Sequence, residues 1–164
     1  MKSSIAILFA FLILAISCDT SEEQKEELRS TTYTMYRANY NPTSGEVKVT
    51  ELSPGVLEFE IILKNTDPNS QHPAHLHFGS VREVGELAFD LNPVDGATGK
   101  SVTILDKETL SNGDLLTYDA FKQLDGSVKV HMNEDFFQHM VLSFGNVGKN
   151  EEYFFDGVAI CTGH

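Results

Sequence analysis

Hydrophobic and polar residues alternate over residues 56–63, where Leu57, Phe59, Ile61 and Leu63 share one side and Glu58 and Glu60 the other. A period of two is the mark of a half-buried β-strand. Residues 45–51 repeat it, with Val47 and Val49 flanking Lys48, and Ser53-Pro54-Gly55 supplies the turn that folds one segment antiparallel onto the other. Shorter strand candidates lie at 74–79, 87–91, 101–105, 126–132, 140–144 and 154–161, separated by Gly, Asn, Asp and Pro clusters. Two short helical turns are predicted as connectors, 118–124 after Thr117 as N-cap and 134–139 after Asn133. Many short strands without alternating long helices predict an all-β domain, a sandwich or flattened barrel.

Residues 1–32 do not follow this pattern. Lys2 precedes a nearly unbroken apolar run over 5–16, then come Ser17-Cys18, and the chain turns polar at Asp19. The run is short for a membrane span and has the layout of an export signal. Ala15-Ile16-Ser17-Cys18 resembles the bacterial lipobox, which implies a lipoprotein signal peptide over 1–17 and acylation of Cys18. Acyl chains contribute roughly 0.8 kcal/mol per buried CH₂, enough in multiple to hold a protein on a bilayer. The alternative is an ordinary export signal with Cys18 near the cut. Residues 18–32 then form a lipidated Cys and polar tether, since Leu28 is the only large apolar residue from Asp19 to Thr32. Residues 33–164 form one folded domain in the cell envelope, outside the cytoplasm, with the outer membrane or cell surface as its expected anchor.

Composition narrows the partners. Twelve basic against 24 acidic side chains give a formal charge of −12, one unit more negative once Lys2 is removed. Such a surface repels phosphate backbones, so nucleic acid is not an expected partner. With Cys18 acylated, Cys161 has no partner for a disulfide within the chain; it reads as a small buried residue of a strand. No Ser/His/Asp triad or phosphate-binding Gly loop is present, so hydrolase chemistry is not indicated.

The histidines carry the candidate chemistry. With Leu76 and Phe78 turned to the core, His75 and His77 point outward; with Val128 and Val130 inside, His131 points outward beside Lys129. Residues at i and i+2 of a strand lie about 6.5–7 Å apart, close enough for two imidazoles to reach one ion. A third from another strand completes a set suited to copper or zinc, with a position left open that His72 could fill. Imidazoles on strands also occur as merely solvated side chains. His139, among Phe136, Phe137 and Met140, reads as packing, and His164 as terminal.

Ser44-Gly45, the run from His72 through His77, Leu91 through Gly99, Val128-Lys129-Val130-His131 and Gly145 through Glu151 together resemble the chordin-type (CHRD) domain proteins of bacterial envelopes. That domain is similar to the copper/zinc superoxide dismutase fold. The resemblance implies a Greek-key barrel with copper roles for His75, His77 and His131. No His lies between His77 and His131, so the bridging His and zinc loop of the dismutases have no counterpart, and Asp90 and Asp95 cannot stand in for an imidazolate bridge. Arg82 reads as a solvated surface side chain. The expected function is that of a membrane-anchored module binding a transition metal, copper ahead of zinc. The alternatives are a superoxide dismutase-like copper enzyme, or a domain that contacts a protein or glycan with incidental histidines; no protein partner is named by the sequence.

Overall fold

A computed structural model of the chain describes residues 27–38, 41–83, 85–133 and 140–150. The leader, Cys18, most of the tether, and the expected elements at 134–139 and 154–161 lie outside these residues. The described elements are β1 (Ser30–Arg37), β2 (Ser44–Ser53), β3 (Val56–Lys64), β4 (Gln71–Phe78), β5 (Leu87–Asp95), β6 (Lys100–Asp106), α1 (Tyr118–Gln123), β7 (Asp125–His131) and β8 (Val141–Gly148). No helix among the described residues is long and apolar enough to cross a membrane.

The strands pair antiparallel and close into one barrel in the order β1-β2-β3-β6-β5-β4-β7-β8. The chain is thus all-β, as the alternation predicts. Hairpins join β4, β5 and β6, while the connections from β3 to β4 and from β6 to β7 each pass over two strands, which is the Greek-key arrangement. The β2–β3 hairpin forms about Pro54-Gly55, setting Val47 opposite Ile61 and Val49 opposite Phe59. Gly55 adopts φ +82°, a conformation L side chains avoid, which is why the turn needs glycine there.

Leu57, Phe59, Ile61 and Leu63 all face the barrel interior, together with Tyr33, Met35 and Val128. The helix α1 starts where Thr117 Oγ1 accepts the Ala120 N–H at 3.1 Å, the cap expected from sequence. It delivers Phe121 into the interior, edge-on to Phe59 at 5.3 Å and to Tyr33 at 5.8 Å. β1 begins at Ser30, inside the segment read as tether. Ser30, Thr31 and Thr32 are held by the ladder to β2 rather than by apolar burial, and the Thr31 hydroxyl meets Tyr118 Oη at 2.7 Å. Threonine fits a pleated surface well, so a polar run can be a strand when a partner is already in place.

One side of the barrel carries a second layer. The connection from β4 to β5 turns back across the outer face: the Val81 N–H donates to Asn146 Oδ1 at 2.8 Å, and Lys129 Nζ donates to the Glu83 carbonyl at 3.2 Å. Val81 packs with Ala38, Val141 and Phe144 in an apolar cluster of their own, apart from the barrel core. Glycines at both ends make the reversal possible, Gly79 at φ +79° and Gly85 at φ +57°. A β-carbon on Gly85 would stand 2.0 Å from the Phe78 carbonyl oxygen. Beneath this layer every residue of β8, and every residue of β7 after Asp125, is buried, although half of them point away from the barrel interior.

Candidate metal centre

Alternation along β4 turns His72, Ala74 and Leu76 one way and His75 and His77 the other. The ladder sets His75 opposite Lys129 and His77 opposite Ser127, while Leu76 meets Val128 on the core side. His131 follows Lys129 by two residues and so shares the outer face, one diagonal step from His75. The sequence-predicted trio is therefore brought together: His75, His77 and His131 each offer a ligand atom, and these atoms lie within 4.8 Å of one another. Ring centroids of His75 and His131 are 4.9 Å apart, those of His75 and His77 5.8 Å.

These side chains point outward, as expected, but they are not an exposed surface cluster. His77 is 0% and His131 2% exposed, and the His75 side chain keeps 21%. The β4–β5 connection covers part of this face, with the Gly85 carbonyl on His77 and the Glu83 carbonyl on Lys129, a cover that no periodicity argument detects. His75 is the solvent-facing edge of the trio.

Three histidines so placed could hold a metal ion. Ligand nitrogens around one tetrahedral ion at ~2.0–2.1 Å would be roughly 3.4 Å apart, so a trio within 4.8 Å would have to close by up to about 1.4 Å to share one. A metal-binding imidazole usually donates its second N–H to a carbonyl or carboxylate, which fixes its tautomer. His77 Nδ1 lies 3.2 Å from the Gly85 carbonyl oxygen, leaving Nε2 with the lone pair. His75 Nε2 lies 3.5 Å from Asp90 Oδ1. His77 is also kept neutral, as a ligand must be: burial first, then the positive charge of Lys129, depress its pKa to about 3, against the opposing pull of the Gly85 carbonyl.

His72, expected as a fourth ligand, is not part of the trio. It sits on the opposite side of β4, buried beside the core, with Nδ1 2.7 Å from the Met132 carbonyl oxygen. Its position is that of a peg at the end of β7, one residue past His131. Arg82 is exposed, as its sequence context suggests. Three neighbours of the trio had no such part in the sequence reading: Asp90, set opposite His75 by the β4–β5 register, the Gly85 carbonyl, and Lys129, whose long stem is wholly covered. The available signals were weak: Val81 and Val84 in the short run between Gly79 and Gly85, and Lys129 set between two valines.

Compared with protein-family models, with curated proteins and with solved structures, the chain finds no match.

Proposed function

We propose that the chain is an exported, membrane-anchored lipoprotein whose barrel binds one transition-metal ion through His75, His77 and His131, copper ahead of zinc. The observation that carries the reading is the convergence of three ligand atoms within 4.8 Å on a covered face, one ring hydrogen-bonded to the Gly85 carbonyl and another 3.5 Å from the Asp90 carboxylate. Three neutral imidazoles with one position open suit copper or zinc, and they lack the hard oxygen ligands that magnesium and calcium require. The likeness of the His, Asn and Gly motifs to chordin-type domains belongs to the same proposal, as does acylation at Cys18. Because two of the three ligands are buried, retention or delivery of an ion fits better than rapid turnover of a diffusing substrate. Copper would supply redox capacity when bound; the chain's own residues hold and orient it, His77 by its hydrogen bond to Gly85 and His75 by its approach to Asp90.

Copper(II) titration followed by electron paramagnetic resonance is the test. The expected spectrum shows nitrogen ligation that disappears in a His75→Ala/His77→Ala variant. Identical spectra from the two proteins would discard the proposal, and mass spectrometry of the lipidated peptide decides the anchor separately.

A further inference from the structure

Beside the His trio, on the same covered face, lie two polar side chains that the metal reading does not use. Ser127 stands directly opposite His77 on one side and opposite Asn146 on the other. Side chains directly opposite on one face have β-carbons about 4.5–5.5 Å apart, so Ser127 Oγ and the Asn146 amide can reach one small guest. Ser127 is 0% and Asn146 6% exposed, and among the described residues neither Ser127 Oγ nor Asn146 Nδ2 has a hydrogen-bond partner. The amide orientation is fixed rather than arbitrary, since Asn146 Oδ1 accepts the Val81 N–H at 2.8 Å. Nδ2 is therefore a donor directed elsewhere. Buried donors without acceptors are rare in folded proteins and point to something that supplies one.

We propose that Ser127 and Asn146 form a subsite for one small monovalent anion adjoining the metal centre. Asn146 Nδ2 can only donate, and the Ser127 hydroxyl is able to, so the guest is an acceptor. Lys129 is the next outward residue along β7 and lies wholly beneath the same layer, placing an ammonium on this face and favouring negative charge in the guest. Burial of both donors limits it to a few heavy atoms, the size of a halide or azide. The inference deepens the metal-binding reading, because an anion here borders an ion held by His77, but its donors do not depend on the metal.

The test titrates azide into the metal-free, nitrogen-15-labelled chain and follows the side-chain amide signals of Asn146, with perchlorate as the ionic-strength control. Saturable shifts are expected that azide causes and perchlorate does not. Ser127→Ala should weaken binding on the order of tenfold, the worth of one charge-assisted hydrogen bond. Asn146→Asp keeps the acceptor for Val81 but replaces the donor, and should abolish it. Should either variant fail to fold, anomalous diffraction from unmodified crystals soaked in bromide decides: a peak between Ser127 and Asn146 supports the subsite, and an ordered water only overturns it. Absent or perchlorate-like shifts overturn it as well. Copper binding by Ser127→Ala with unchanged nitrogen ligation would leave the metal reading intact whatever azide does, whereas azide shifts without copper binding would end the metal reading alone.

Discussion

The outer faces of β3–β6 and of β4–β7–β8 belong to the same barrel and obey the same period of two, yet they end in different environments. Along β6 buried and exposed residues alternate without exception, and its outward Val102 and Ile104 are 46% and 58% exposed. Along β8 there is no alternation in burial at all. The difference is not in the strands. Among the described residues it lies in the connection after β4, whose Val81, Glu83 and Gly85 reach across to Asn146, Lys129 and His77. Pleating determines which way a side chain points; a covering segment determines whether that direction is wet. For imidazoles the distinction decides chemistry, because desolvation keeps His77 neutral where a solvated ring would gain a proton in mild acid.

Removing the cover should make the two faces alike, and the largest effect is expected at its glycine hinge. Gly85→Ala places a β-carbon against the Phe78 carbonyl at a positive φ, and should cost about 3 kcal/mol in urea unfolding. Gly113→Ala, also at positive φ but with nothing within 4 Å, should cost only about 1 kcal/mol. Equal losses would mean that Gly85 has no special part in closing the covered face. Next, Val81→Ala should destabilise by about 2 kcal/mol, while Ile104→Ala on the open face stays within roughly 0.5 kcal/mol.

Acid should act on the covered face through His77. Its folded pKa of about 3 lies below the ordinary histidine value of 6.5, so between those limits the unfolded chain binds more protons than the folded one. This contribution is complete above pH 6.5 and is lost as pH falls toward 3. The metal-free protein should lose on the order of 2 kcal/mol between pH 6.5 and 5 from this group. A His77→Gln variant should lack that component of the pH dependence in denaturant titrations, and an unchanged slope would refute the assignment. The smallest effect concerns His72. As a peg on the Met132 carbonyl it should be replaceable by Asn, whereas His72→Val should weaken copper binding about tenfold with the same nitrogen count; loss of one nitrogen from the spectrum would restore it to the ligand set.

Much of the fold was legible because it depends on local rules. Strict alternation gave β2 and β3, Ser53-Pro54-Gly55 gave their turn, and Thr117 gave the start of α1. The trio was legible for the same reason, since His-x-His on a strand puts both rings on one face and Val130 fixes the orientation of its neighbour His131. What escaped depends on contacts distant in sequence. Ser30–Thr32 become strand only because β2 is there to pair with them. The placement of Val81 over Phe144, or of Asp90 opposite His75, follows from register and closure, which no window of a few residues contains. His72, expected to fill the open position, stands at odd offsets from His75 and His77 and is turned to the other side of β4.

The seam between β5 and β6 has a mechanical consequence. Among the described residues one registered backbone pair, Asp95 with Lys100, joins these strands, and beyond it Asn92 reaches across to Thr103 and Val102 with its own amide groups. A cylinder fastened so lightly along one line is expected to part there first when heated, laying bare two fresh strand margins next to Val102 and Ile104. Backbone amides of β6 should then exchange with solvent deuterium earlier than those of β7, and crowded, warmed samples should adhere along that margin while the histidine side is still intact.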